Sequence, residues 1–529
     1  MPRWEAELKN AILFAVATAL ATIASAAEQG GPSGRAVSTD GAVTIGKQRV
    51  DYRATAGAIV VHPVKAGGET SGSETEGTSD GAPPAGASIF YVAYIKRGVT
   101  SPDRPITFVY NGGPGSSTMW LHMAGFGPKR VLTKDGIHTP APYRLVDNSF
   151  SLLDVSDLVF IDAPGVGFST VWGKDKEKAF YGLDADANAF AEFVSAYLTR
   201  SHRWNSPKFL FGESYGTTRS AILANRLQSR YNIDLTGLIQ LSQILNFDLG
   251  SKGPQYNPGV DQAYIVSLPT YAAVAWYYDR LPAPKPQNLE EFLHRVEQYA
   301  STEYTVALQA GSTLDPARRE AVAKQISAFT GLPVDYVLKS DLRIDSGQFR
   351  KVLLGEKGLT LGMCDARFAG PTVDPLSKEA DNSILPDLTA TLAAFVSATN
   401  DYVRDTLGYG GDQPYQPMVD ADQVWVYDRD QPANAPTRIF GVANVTPDLA
   451  AAMKSNPDLK VMVNGGYYDF CTCYYAGWYE MHHLPIPATL RGNIEYHYYR
   501  SGHWPYLVAE SMAQLHDNIA DFIRRAARY

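Results

Sequence analysis

Residues 208–228 read KFLFGESYGTTRSAILANRLQ, and the fold is decoded outward from them. Lys208–Phe211 is a short apolar run of strand composition. From Tyr215 to Gln228 the apolar positions recur at helical spacing. Between the two lies Gly212-Glu213-Ser214-Tyr215-Gly216, a G-x-S-x-G pentapeptide. A strand before it and a helix after it predict a tight turn that lifts the Ser214 hydroxyl above the edge of a sheet. Glycines are required on either side, because a side chain in so sharp a turn would strike neighbouring backbone. The start of the helix also gives Ser214 free N–H groups and a dipole that favour developing negative charge. The pentapeptide alone is common, and its flanks make Ser214 a candidate nucleophile.

The surrounding chain repeats the same alternation. Val43–Val61, Ser88–Lys96 (SIFYVAYIK) and Pro105–Tyr110 (PITFVY) have strand composition, as do Leu158–Ile161, Leu235–Leu241 and Leu459–Asn464. Ala185–Thr199 has helical spacing. Strands alternating with helices predict an α/β fold, a mostly parallel central sheet flanked by helices on both faces. Between Gly250 and Ile439 the character changes to amphipathic helices such as Glu290–Tyr299 and Asp315–Phe329, divided by Pro-rich loops. The division expected is a first core part at 27–249, a mainly helical cap insertion at 250–439 and a second core part at 440–529. Glu28–Gly41 and residues 66–87 are rich in Gly and Ser, and the second stretch lacks apolar side chains to bury. Both read as flexible.

A serine nucleophile needs a general base, and the base needs an orienting acid. In a strand–elbow–helix architecture these come in the order Ser, acid, His. Leu459–Asn464 runs into Gly465-Gly466-Tyr467-Tyr468-Asp469, which makes Asp469 the candidate acid, although an isolated Asp after Gly-Gly also reads as an Asx-turn residue. Glu495–Tyr499 is a further strand. The loop Ser501-Gly502-His503-Trp504-Pro505 comes after it, before a last helix at Val508–Arg524. His503 is therefore the candidate base. His482 and His483 have no strand to deliver them, and His497 lies within a strand, where it reads as a packed core histidine.

The N-terminus carries a processing pattern. Arg3 and Lys9 flank a short polar start, Ala11–Ala26 is uncharged, and Ala24-Ser25-Ala26 predicts cleavage before Ala27, leaving residues 1–26 as a signal peptide. Glu5 and Glu7 weaken the basic region, and an uncleaved anchor is the alternative. No later stretch is long enough to span a bilayer. Export to the periplasm or outside the cell is therefore expected. With 47 Lys+Arg against 55 Asp+Glu the net charge is −8, which lacks the basic face that a nucleic-acid partner requires. Cys471, Cys473, His482 and His483 do not complete a zinc framework, and no metal or other cofactor is expected. In an exported protein Cys364 pairing with Cys471 or Cys473 is the better reading of the three cysteines. The aromatic run from Tyr467 to Tyr479 is read equally as pocket lining and as core.

Asn111-Gly112-Gly113-Pro114-Gly115-Ser116-Ser117 resembles the N-G-G-P-G-C-S signature of serine carboxypeptidases. Gly212–Gly216 is similar to their G-E-S-Y-G elbow, and Asp162–Ser169 (DAPGVGFS) to their D-x-P-x-G-x-G-F-S segment. Asp469 and Gly502-His503 come in the family's order. The resemblance implies an α/β-hydrolase fold with Ser214, Asp469 and His503 as catalytic residues. It implies an oxyanion hole from the N–H groups of Gly113 and Tyr215, and a substrate carboxylate held by Asn111, Gly112 and Glu213. Ser116 stands where the family usually has Cys, so a disulfide anchored there is absent. Met119–Arg130 keeps a Gly-Pro but lacks the acidic residue usual before it.

The function expected is an exported serine-type carboxypeptidase that acts on peptide substrates through a Ser214 acyl-enzyme. The rivals are an esterase or acyltransferase on the same scaffold, or a non-catalytic binding protein. The intact Ser214, Asp469 and His503 speak against the last. The sequence leaves side-chain preference and oligomeric state open.

Overall fold

The computed structural model describes residues 36–63, 84–99, 103–133, 138–250, 258–380, 385–420, 424–429 and 443–527. The expected signal peptide at 1–26 lies outside them, as does most of the Gly/Ser-rich stretch at 66–87.

The principal strands of the central sheet are β1 (Val37–Ile45), β2 (Gln48–Val61), β3 (Gly86–Lys96), β4 (Ile106–Tyr110), β5 (Asp157–Ile161), β6 (Lys208–Glu213), β7 (Gly237–Leu241), β8 (Lys460–Gly466) and β9 (Ile494–Tyr499). Their spatial order is β1-β2-β3-β5-β4-β6-β7-β8-β9. The first three form an antiparallel meander that pairs antiparallel with β5. Every pairing from β5 to β9 is parallel. Two flexible readings are corrected at their edges. Val37–Gly41 belongs to β1 and Gly86–Ala87 to β3, because their backbones are paired in the sheet and pairing does not require bulky side chains.

Alternate residues of the parallel strands face two different cores, as the period of two demands. Leu210, Leu238, Val461 and Val463 meet α1 (Leu183–Ser201), α2 (Tyr215–Tyr231) and, in the same apolar cluster, α7 (Thr446–Ser455). Phe209, Phe211, Ile239, Leu241 and Met462 meet Met512, Leu515, Ile519, Phe522 and Ile523 of α9 (Ala509–Ala526). Those five α9 positions recur at helical spacing and form one buried face.

Between β7 and β8 the chain inserts α3 (Gln262–Tyr277), α4 (Leu289–Tyr299), α5 (Pro316–Thr330) and α6 (Pro386–Asp401), among shorter helices and one small β-ribbon, Leu359–Leu361 with Ala369–Pro371. Helices α3, α4 and α5 share a separate apolar core, which also takes in Tyr468, Phe470 and Tyr474–Ala476 from the start of α8 (Tyr474–His482), whereas Ala394, Phe395 and Ala398 of α6 join the sheet-side core that holds α9. Most of the aromatic run is thus core. Tyr467, Tyr474, Tyr475 and Trp478 also line one wall of a cleft of about 350 Å³ beside α4. Among the described residues, no helix is long and apolar enough to cross a membrane.

Candidate active site

Parallel register brings the ends of the central strands to one edge. Tyr110 is level with Gly212, Glu213 with Leu241, Leu241 with Asn464, and Gly466 with Tyr499. The segments that leave these ends carry all the candidate residues, at the carboxyl edge where open parallel sheets bind ligands.

Ser214 links β6 to α2 with φ 59° and ψ −130°, a left-handed backbone that few non-glycine residues adopt. Its N–H donates to Leu241 O at 2.9 Å, and its carbonyl accepts from Thr217 N and Thr217 Oγ1 at 2.8 and 2.7 Å. A Cβ on Gly212 would lie 2.3 Å from Gly216 O, which is the steric reason for glycine there. Beneath the turn, the fully buried Arg219 pairs with Asp186 at 2.7 Å and donates from Nη1 to Asn111 O at 2.7 Å. One guanidinium therefore ties the elbow helix to the loop after β4.

That loop is Asn111–Ser117. A Cβ on Gly112 would come within 2.4 Å of Tyr215 N, so this backbone runs against the elbow. Tyr215 opens α2, and its N–H has no acceptor within the helix. The N–H groups of Gly113 and Tyr215 thus belong to two backbones in close contact. The loop is braced from two sides. Asp162 accepts from Thr118 N at 2.6 Å, and Thr118 Oγ1 donates to Ile161 O. From the distant end of the insertion, Pro417 O accepts from Ser117 N at 2.9 Å, and Val419 N donates to Gly115 O at 2.9 Å.

Asn111 and Glu213 meet directly. Asn111 Nδ2 donates to Glu213 Oε1 at 2.7 Å, while Asn111 Oδ1 accepts from Leu121 N at 3.0 Å. The second carboxylate oxygen, Glu213 Oε2, is buried without a well-formed hydrogen bond. Burial pushes the Glu213 carboxyl up to about 7; His503, Tyr506 and Asn111 pull against that rise and Asp469 adds to it.

The carboxylate and imidazole expected from the sequence do meet. His503 Nδ1 lies 2.7 Å from Asp469 Oδ2, and both side chains are buried. Burial alone would lower the imidazole. The charge and hydrogen bond of Asp469, with Glu213 and Asp387 behind them, outweigh it and hold His503 above its usual range. Asp469 is also the Asx-type acceptor that its Gly-Gly context implied. Its Oδ1 accepts from Cys471 N at 2.7 Å and Thr472 N at 3.1 Å, and its Oδ2 from Thr472 Oγ1 at 2.7 Å. The turn fixes the carboxylate that meets the histidine. Ser242, just past β7, donates from Oγ to His503 O at 2.7 Å and from N to Asn464 O at 2.8 Å.

The remaining candidates fall elsewhere. His482 stacks on Trp478 and Tyr496, and His483 on Tyr479, both exposed. His497 is not a core histidine. It is half-buried on the edge strand β9, 3.2 Å from Glu495, since an edge strand is covered less completely than a central one. Cys471 is bonded to Cys364, and Cys473 is free and buried. The ligand atoms of Asp469, Cys471 and His503 lie within 4.8 Å of one another, but the disulfide leaves Cys471 no thiolate to offer a metal. Sequence reasoning missed Thr472, Ser242, Tyr506 and the brace at 415–419. Only Thr472 had a local signal, as a hydroxyl three residues beyond an Asp in the turn after a strand.

A mostly parallel sheet with helices on both faces, an elbow serine after β6 and a carboxylate–imidazole pair after β8 and β9 define an α/β-hydrolase fold. Within that class, residues 69–247 match the family model described as serine carboxypeptidase. Pheromone-processing carboxypeptidase KEX1 of Yarrowia lipolytica is 29% identical over 140 residues, 26% of this chain and 21% of that protein. Its namesake in Saccharomyces cerevisiae is 33% identical over 132 residues, 24% of this chain and 17% of that protein. The match spans about a fifth of the length of these curated relatives. The crystal structure of the Saccharomyces cerevisiae prohormone-processing carboxypeptidase KEX1(delta)p shares the fold, with a TM-score of 0.52 and 16% identity over 89% of this chain and 91% of that one.

Proposed function

We propose that this protein is an exported serine-type carboxypeptidase, with Ser214 as nucleophile, His503 as general base and Asp469 as the acid that orients it. His503 takes the Ser214 proton as the hydroxyl attacks the scissile carbonyl. The N–H groups of Gly113 and Tyr215 receive the oxyanion. His503 then passes the proton to the leaving amine, and water hydrolyses the acyl-enzyme by the same route. The core at 27–249 and 440–529 would carry the chemistry, with the 250–439 insertion as its cap.

The observation that carries the choice of carboxypeptidase over esterase is the buried Asn111–Glu213 pair beside the elbow. Asn111 uses one Nδ2 hydrogen on Glu213 Oε1, which leaves the other for a substrate carboxylate, beside the Gly112 N–H. Two carboxylates cannot both stay ionised at hydrogen-bond distance. A proton on Glu213 Oε2, the oxygen without a well-formed hydrogen bond, turns that repulsion into a donated hydrogen bond. A carboxyl group held near 7 carries this proton under mildly acidic conditions. Export is supported by the Cys364–Cys471 disulfide, since such bonds persist in oxidising compartments.

Mass spectrometry of a mixed peptide pool tests the activity. Stepwise loss of C-terminal residues, blocked by C-terminal amidation, is expected. Hydrolysis of simple esters with no trimming of peptides would give the site to the esterase rival. N-terminal sequencing of the native protein should find Ala27, and a chain still starting at Met1 in the membrane fraction would overturn export.

A further inference from the structure

We propose that the Cys364–Cys471 disulfide positions the Asp469–His503 pair, so that turnover depends on its oxidation state. The inference rests on the proposed catalytic roles. Its structural basis does not, because it concerns how two loops are held together.

Cys364 sits in the turn 362–368, which the insertion sends between the loop carrying Asp469 and the loop carrying His503. Each polar or reactive atom of Cys364 has a task there. Its N–H is held at 2.6 Å by the buried carboxylate of Asp387, which also accepts from Asp365 N at 2.9 Å. Its carbonyl accepts from His503 N at 2.6 Å. Its sulfur is bonded to Cys471, whose own N–H donates to Asp469 Oδ1 at 2.7 Å. The links close on themselves: Asp469 to Cys471, across the disulfide to Cys364, to the His503 backbone, and from the imidazole back to Asp469. Two further bonds, Phe470 N to Met363 O and Ala366 N to Tyr468 O, both 3.0 Å, fasten the same turn to the acid loop.

The disulfide is the covalent cross-link that ties the insertion's turn into that ring, and hydrogen bonds of about 1 kcal/mol net close it onto His503. A dithiol reductant opens it by thiol–disulfide exchange. One thiolate attacks a sulfur to give a mixed disulfide, the second displaces it, and two cysteine thiols form while the reductant becomes a cyclic disulfide. Cys471 is half-buried, so the bond can be reached. Burial pushes the nearby Cys473 up to about 12, which keeps it a thiol and out of the exchange. With the ring open, the hydrogen-bonded turn remains but no longer fixes the two loops. A misplacement of about 1 Å at a reacting centre costs up to roughly 10²-fold.

The test uses the full chain, oxidised and then treated with dithiothreitol, with near-UV circular dichroism to show that the fold persists. Expected on reduction are a fall in kcat of roughly 10- to 100-fold, a KM changed less than about twofold, and an acid limb of the kcat profile that moves to lower pH as His503 loses its carboxylate. The downfield proton resonance of the His503 Nδ1–H should broaden or vanish, and oxidised glutathione should restore every reading. Cys364→Ser with Cys471→Ser should behave as the reduced protein, and Cys473→Ser should respond as the wild type. If the double variant does not fold, the reduced wild type decides. Unchanged kcat, acid limb and downfield resonance in the reduced protein would overturn the proposal, as would a loss of near-UV signal showing general unfolding. An oxidised protein that trims no peptide would instead overturn the proposed function, and the resonance would still decide the role of the disulfide.

Discussion

Ser214 stands on one continuous run of chain, from β6 into α2, whereas the Asp469–His503 pair draws on three stretches far apart in sequence: the turn after β8, the loop after β9 and residues 362–368 of the insertion. The elbow is held by the sheet register on either side and by Arg219 below. The pair is held by a ring of bonds that passes through the insertion. The proposed nucleophile is thus placed by local sterics, while the proposed base depends on how a remote segment folds back. Damage on the two sides should differ in kind.

The largest effect should come from removing the chemistry itself. Ser214→Ala and His503→Ala are each expected to lower kcat by about 10⁶-fold with little change in the double variant, because the residues act as a unit. Near-normal turnover of a peptide by Ser214→Ala would end the whole reading. Asp469→Asn should cost about 10⁴-fold. It should also move the acid limb of the profile to lower pH, since the charge that holds His503 above its usual range is gone. An unmoved limb would mean that a different group sets it.

Beneath those, the two sides should show different symptoms. Arg219→Met strands Asp186 in the core and should destabilise the fold by about 3–5 kcal/mol, measured by denaturant unfolding. Thr472→Val removes one donor to Asp469 and should lower kcat by roughly tenfold with little loss of stability. If Thr472→Val instead unfolds the protein, the acid loop is as much a structural keystone as the elbow, and the contrast fails. The smallest effect concerns substrate reading. Glu213 is protonated below about 7, so KM for a free-acid peptide should rise as pH passes that value, while KM for the matched amide stays nearly level. Glu213→Gln should flatten the first curve by keeping a donor at all pH, and parallel acid and amide curves in the wild type would remove Glu213 from carboxylate recognition.

The same contrast explains how much of the molecule is legible in its sequence. Residues 208–231 declare their turn, because strand composition, two glycines and helical periodicity occur side by side. Asp469 and His503 are found one step less directly, as the acid and the imidazole that come just after two late core strands. The ring through Cys364 is legible only as a choice between two partners for one cysteine, since no local pattern says where an insertion of such length returns. Residues 415–419, which brace Gly115 and Ser117, have no regular periodicity and carry no signal. His497 is misread for a related reason: strand composition is visible in sequence, but the position of that strand at the sheet's edge is a property of the finished topology.

The left-handed backbone at Ser214 has a consequence of its own. A non-glycine residue in such a region stores on the order of 1–3 kcal/mol, which the folded protein carries whether or not substrate is present. Alanine at that position would keep the burden and glycine would shed it. Of two equally inactive proteins, Ser214→Gly should therefore melt above Ser214→Ala, and above the wild type as well. The side chain that gives the elbow its proposed use is also the one that the backbone beneath it would be more comfortable without.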